Sequence, residues 1–191
     1  MVKHEELIAE FVASFEKLDG MIFFPDSDPI AAQLAFGEPD ELGYTHWRPM
    51  RVTVEPALLE PIYAKLPARF PPVFEQLVLS YRWDEVDLGS FRLLPNPPGP
   101  DLNGLLQEMS RDPAIWKALL PAGFMQFGKG PDVNYDPVCF DISSRKKNRE
   151  FKIVRIDHEE ILCNDRVKVV EEVTPTFRDP VLRTIASAKQ A

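Results

Sequence analysis

Three short apolar segments, at 124–127, 138–142 and 151–156, follow one another with turn residues between them. Gly128, Gly130 and Pro131 precede the second, and the basic run Arg145-Lys146-Lys147-Asn148-Arg149 precedes the third. Such segments read as strands joined by hairpins. Residues 91–94 form another strand candidate, leading into the loop Pro95-Asn96-Pro97-Pro98-Gly99-Pro100, and 167–170 add one more. Helical patterns flank these strands. Leu7, Ile8, Phe11, Val12, Phe15 and Leu18 recur at helical spacing, with Glu5, Glu6, Glu10 and Glu16 on the other face, for about four turns ending at Gly20. Two helical patches follow over 58–79, then short helices at 102–109 and 114–120. The second short helix has Asp112 as N-cap and Pro113 just inside. Phe177, Val181, Leu182 and Ile185 describe a closing helix with Pro180 near its start. Residues 47–54 predict one strand, at a sheet edge because of Pro49, and 21–24 another. Residues 25–45 read as loop with one short helix over 30–36. Helices, then hairpin-joined strands, then a helix predict an α+β domain, its antiparallel sheet carrying helices on one face.

At 191 residues the chain is one domain with room for an appendage, and it needs no metal or disulfide to hold a core. Its 19 prolines are about twice ordinary usage. Cys139 and Cys163 make no disulfide framework and fit no zinc spacing; both lie in apolar segments and read as buried free thiols. No run approaches the length needed to span a bilayer, and acids occupy the positions where a secretory signal would be apolar. A cytoplasmic protein without membrane contact is the expectation.

The net charge of −8 is segregated. Residues 1–45 hold 10 acids against Lys3 and Lys17, whereas residues 46–191 balance at 20 of each sign. Nucleic acid is excluded as an expected ligand, because phosphate binding needs a basic face and the only basic cluster is the five-residue run read as a turn.

Residues able to do chemistry are few. His4 is terminal, and His46 precedes Trp47 in a loop. Asp157-His158-Glu159-Glu160 is the one dense polar cluster directly after a strand. As a site it suggests a small metal-dependent hydrolase using His158 with Asp157, Asp141 or Glu160. Neighbours on an extended chain point to opposite faces, however, so at most two of the four reach one ion. The favoured reading is a polar strand end in which Asp157 or Glu160 caps the next turn. The serines Ser80, Ser90, Ser143 and Ser144 lack a Gly-x-Ser-x-Gly elbow, and Gly128-Lys129-Gly130 lacks the third glycine of a phosphate loop. Cys139 alternates into a hydrophobic row and reads as core. No catalytic residue, metal ligand or cofactor is therefore expected.

The densest unusual stretch is 123–141, where Phe124, Phe127, Tyr135 and Phe140 sit on adjacent strands with Asp132, Asp136 and Asp141 at the ends and turn. One reading is an aromatic-cored hairpin with polar corners; the other is a recognition surface, since aromatics rimmed by acids suit a protein partner. On the second reading the contact residues are Phe127, Asp132, Tyr135, Asp136 and Asp141, with Glu10 from the acidic helix.

An ordered series of motifs resembles the SUKH superfamily, the fold of a fungal cell-wall synthesis regulator and many bacterial immunity proteins. Leu66-Pro67-Ala68-Arg69-Phe70-Pro71-Pro72-Val73-Phe74 resembles its opening. Phe124-Met125-Gln126-Phe127-Gly128, then Tyr135-Asp136-Pro137-Val138-Cys139-Phe140-Asp141, then Ile153-Val154-Arg155-Ile156-Asp157-His158 resemble its central hairpins. There the family reads Gly-Asp-x-x-x-Phe-Asp, then a Val-x-x-x-x-His strand. Tyr135 departs from the pattern by replacing the glycine. Thr176-Phe177-Arg178-Asp179 resembles the opening of the family's last helix. The likeness covers 62–186, giving a SUKH-like domain at 62–191 and an acidic helical extension at 1–61 packed on it. The resemblance implies binding rather than turnover: an immunity-type protein neutralising a cognate toxin domain of basic surface, or alternatively a regulatory or scaffold module. Excess acid in 1–45 then contributes to partner choice, as charge complementarity speeds encounter and fixes register.

Overall fold

Apolar residues recurring from Leu7 to Val12 form α1 (His4–Ala13) in the computed structural model, which describes residues 4–18, 22–23, 31–131 and 134–190. The helix tightens into a 3₁₀ turn at Ser14–Lys17, where the Ser14 hydroxyl donates back to the Glu10 carbonyl at 2.8 Å. Three short strands follow: β1 (Ile22–Phe23), β2 (Ala35–Phe36) and β3 (Thr45–Trp47), with β3 in the middle. The single strand expected over 47–54 is two. Chain direction changes at Arg48-Pro49, and β4 (Met50–Arg51) pairs instead with β5 (Tyr81–Arg82). His46 lies in β3 rather than a loop. Between β4 and β5 run α2 (Glu60–Tyr63) and α3 (Pro72–Ser80), each carrying proline in its first turn, where the missing N–H leaves no intrahelical bond unmade.

The remaining elements build the main sheet: β6 (Val86–Asp87), β7 (Arg92–Leu93), α4 (Asn103–Met109), α5 (Pro113–Leu119), β8 (Phe124–Lys129), β9 (Pro137–Asp141), β10 (Lys152–Ile156), α6 (His158–Asn164), β11 (Val169–Thr174) and α7 (Arg178–Ala188). Its order is β11-β10-β9-β8-β7-β6, an antiparallel meander in which every strand pairs with its neighbours in sequence. The basic run is a turn: Lys146 N donates to the Glu150 carbonyl, and Arg149 takes φ 63°. The last strand starts later than the expected 167–170. Asp165, at φ 49°, ends α6 in the left-handed region, and Lys168 is held by accepting from Asp157 N, so pairing begins at Val169. No helix of the described residues is long and apolar enough to cross a membrane.

Two hydrophobic clusters lie on opposite faces of this sheet. Met125, Phe127, Val138, Phe140 and Ile153 face the main core, joined by Phe11 of α1, Phe74 of α3 and Val181 of α7. Cys139, Val154 and Ile156, their alternates along the strands, face a second cluster with Ile115 and Leu119 of α5 and Ile161 of α6. The α+β architecture with its helical layer is as expected, and α5 and α6 add partial cover on the second face. Cys139 is fully buried, whereas Cys163, expected to be buried, is exposed on α6. The expected contact residue Phe127 is also corrected, since it is fully buried.

Phe127 stacks on Phe140 with ring centroids 3.9 Å apart and planes at 11°. Phe74 meets both edge-on at 5.5 and 5.4 Å, and Phe177 closes the group 5.1 Å from Phe74. A β-bulge between Gln126 and Gly128 accommodates the extra residue, and Gly128 allows the backbones to meet: a Cβ there would lie 2.7 Å from the Arg92 carbonyl. Phe127→Ala is expected to lose about 3–5 kcal/mol of stability in urea titrations, as for other large aromatic truncations in close-packed cores.

Candidate functional site

Asp157 directly follows β10 and caps α6, its carboxylate accepting from Glu160 N at 3.1 Å. That cap fixes His158 as the first residue of the helix. Beside it, the β9–β10 register sets Val138 opposite Arg155 and brings the residue before β9, Asp136, against the helix start. One Asp136 oxygen then accepts twice from His158, from the backbone N at 3.0 Å and across 2.6 Å from Nδ1. The other lies 3.6 Å from Arg155 Nη1, and Arg155 Nε is 3.3 Å from Glu171 on β11. Because a carboxylate only accepts, Nδ1 is the donor, and Nε2 faces the cleft without a hydrogen bond among the described residues. Asp136 is only 7% exposed. Burial works to raise its carboxyl, but the hydrogen bonds from His158 and Asn134 outweigh it and hold the group below the ordinary carboxylate value.

The chain leading to Asp136 is pinned from the other side. Arg92 donates to the Gly130 carbonyl at 3.0 Å and the Asn134 carbonyl at 3.2 Å, while Gly130 N donates to the Asp136 carbonyl at 2.8 Å. Asn134 Oδ1 accepts from Asp136 N at 2.6 Å. Tyr135, between these anchored residues, projects its side chain outward and is 64% exposed.

Tyr135 and His158 line a cleft of about 350 Å³. Leu94, Ile115 and Leu162 give it apolar surface, and Gln126 enters from β8. Its charged residues are mostly paired with each other. Glu85 holds both Arg92, at 3.0 Å, and Lys129. Glu108, at the end of α4, accepts from Arg111. Burial raises the Glu108 carboxyl, an effect that Arg111 and Lys129 partly offset. Asp112 caps α5 through one oxygen, which accepts from Ala114 N at 2.9 Å and Ile115 N at 3.2 Å.

Of the residues expected from sequence to meet a partner, the structure brings Tyr135 and Asp136 to this place, one exposed and the other beneath it. Asp141 is at the far end of β9, where it accepts from Ser143 N and Oγ and caps the turn Ile142–Ser144. Glu10 pairs with Lys189, the residue just after α7, on the main-core side. Asp132 lies outside the described residues. The carboxylate paired with His158 is Asp136, not Asp157, Asp141 or Glu160; Glu160 is engaged by Asn164 and Arg166. Among the described residues no group of three or more His, Cys, Asp or Glu is arranged to hold a metal ion. Burial pushes the Cys139 thiol well up, away from a reactive thiolate. Sequence reading missed Glu108, Arg111, Gln126 and Lys129, which come from the end of α4, the turn after it and β8 and carry no shared motif. No family model, curated protein or solved structure matches the chain.

The lowered Asp136 value has a defined consequence for stability. A carboxyl that is more acidic folded than unfolded stabilises the fold above its ordinary value near 3.8, and that contribution is lost as pH falls through the folded value. Asp136→Asn is expected to cost about 1–2 kcal/mol near neutral pH, since charge-assisted bonds have roughly twice the strength of neutral ones. In urea titrations the gap should narrow as the pH drops below the ordinary carboxylate range. A gap independent of pH would exclude the carboxylate charge as its source.

Proposed function

We propose that the chain is a non-catalytic protein-binding module whose contact surface is the mouth of the cleft, centred on Tyr135. The observation that carries this reading is an aromatic side chain 64% exposed on backbone held at both sides. Such a residue is already ordered before contact, so little conformational entropy is lost when a partner covers it. Tyrosine is also enriched among residues that dominate binding energy. Half-exposed Leu162 extends the apolar part of the rim, and paired charges surround it. Beneath, Asp136 accepts hydrogen bonds from His158 and forms an ion pair with Arg155, which favours a supporting role over a catalytic one.

The resemblance to the SUKH superfamily extends the proposal to an immunity-type protein that neutralises a cognate toxin domain. The acidic segment 1–45 suits a partner with a basic surface, adding long-range attraction to the local contact.

Site-specific photocrosslinking tests the contact surface. A benzophenone amino acid at position 135 should give one dominant adduct in native cells, and the same group at exposed Leu182 on α7 should not. With that partner purified, Tyr135→Ser should weaken binding about 30-fold or more, the loss expected at a binding hot spot. Adducts from position 182 and none from 135 would place the contact elsewhere and overturn the proposal.

A further inference from the structure

We propose that the cleft beneath Tyr135 binds a guanidinium group, so that the partner presents an arginine side chain to it. That an arginine-bearing protein is the carrier rests on the protein-binding reading; the guanidinium itself is argued from the cleft alone. The resident cations are already engaged, Lys129 and Arg92 with Glu85 and Arg111 with Glu108. What stays open is a set of acceptors on different walls. Glu108 gives one oxygen to Arg111, and its second has no hydrogen bond among the described residues. Asp112 caps α5 through Oδ1 alone, leaving Oδ2. Gln126 uses its Nε2 to reach the Gly128 carbonyl at 3.2 Å, leaving its carbonyl oxygen. His158 is held through Nδ1, so Nε2 accepts whenever the ring is neutral.

A ligand that satisfies acceptors spread over several walls needs several donors with fixed, divergent directions. Guanidinium presents five N–H groups in a planar fork, whereas ammonium is a compact point charge with three. A single metal ion needs its ligands drawn together, and these acidic and histidine groups do not form such a cluster. The apolar side chains fit the rest of an arginine, because its methylene stem packs on surfaces such as Leu94, Ile115 and Leu162. Lys129 Nζ already lies over the Tyr135 ring, 5.9 Å from its centroid, a resident example of a cation at this aromatic rim. Glu108 is 15% exposed, so its ionised form bears a desolvation cost that a second cation relieves. Arg111, resting on Glu108 while 75% exposed itself, is a resident example of the contact proposed for the incoming group.

The probe is N-acetyl-arginine amide added to the full chain, followed through the Gln126 side-chain amide and the His158 ring and backbone signals by NMR. Saturable shifts at both residues are expected. N-acetyl-citrulline amide, similar in shape but uncharged, and N-acetyl-lysine amide should each bind at least ten-fold more weakly. Glu108→Gln, and Asp112→Asn with its cap acceptor retained, should each weaken the arginine probe several-fold and leave citrulline unchanged. Equal binding of arginine and citrulline, equal binding of arginine and lysine, or shifts confined to the acidic 1–45 segment would each overturn the proposal. The two proposals fail separately. If the arginine probe does not bind while position 135 crosslinks its partner, the guanidinium site falls and the docking face stands. If the probe binds while position 135 gives no adduct, the site stands and its part in docking falls.

Discussion

The stack of Phe127 on Phe140 is the contact from which the rest of the architecture follows. At 3.9 Å between centroids it ties β8 to β9, and Phe74 and Phe177 seat α3 and α7 on it edge-on. Strand side chains alternate between faces, so holding these two rings inward also decides what faces the other way. Cys139 is thereby delivered to α5 and α6, and Gln126 to the cleft. A one-residue slip would exchange these sets, bury a glutamine amide in the aromatic core and remove one wall of the candidate site. The register that stabilises one face creates the binding geometry of the other.

Asp136 transmits that order to the helices on the second face. It is nearly buried, and its oxygens face His158 at the start of α6 and Arg155 in β10. A buried carboxylate without such partners would neutralise or disrupt its surroundings; here hydrogen bonding outweighs desolvation. The same network leaves Tyr135 no room to withdraw, because the residues on either side of it are fixed by hydrogen bonds. Exposure of an aromatic here follows from constraints on its neighbours.

The central strands were legible in sequence because apolar alternation and turn residues agree across 124–156, and Asp112 and Asp157 act as the caps their positions suggest. Periodicity says which residues share a face, not whether that face meets solvent or protein. Phe127 was therefore open to both readings, and packing by α3 and α7 put it inside. The misread strand over 47–54 shows the converse limit: a partly alternating pattern conceals a change of partner when a proline removes one donor. Tyr135, Asp136 and His158 stood out individually. The pairing of Asp136 with His158 spans 22 positions and depends on the β9–β10 register, which local sequence does not encode. Glu108 and Arg111 reach the cleft only through the placement of α4.

The described acids of the first helix and the cleft lie on different sides of the main sheet, and this separation bears on how the proposed binding would work. Helix α1 packs on the main-core side, where Glu10 pairs with Lys189 and Glu16 with Arg48, each pair well exposed. Exposed charges act over roughly a Debye length, about 8 Å at physiological ionic strength, and contribute little fixed geometry. Excess acid there raises the rate at which a basic partner arrives without specifying its orientation. The cleft has the opposite character: its resident cations are paired, and its open acceptors reward one shape of donor. On this division of labour, salt should act chiefly on association, whereas groups around Tyr135 should govern how long the complex lasts, since most affinity differences at a given interface arise in dissociation.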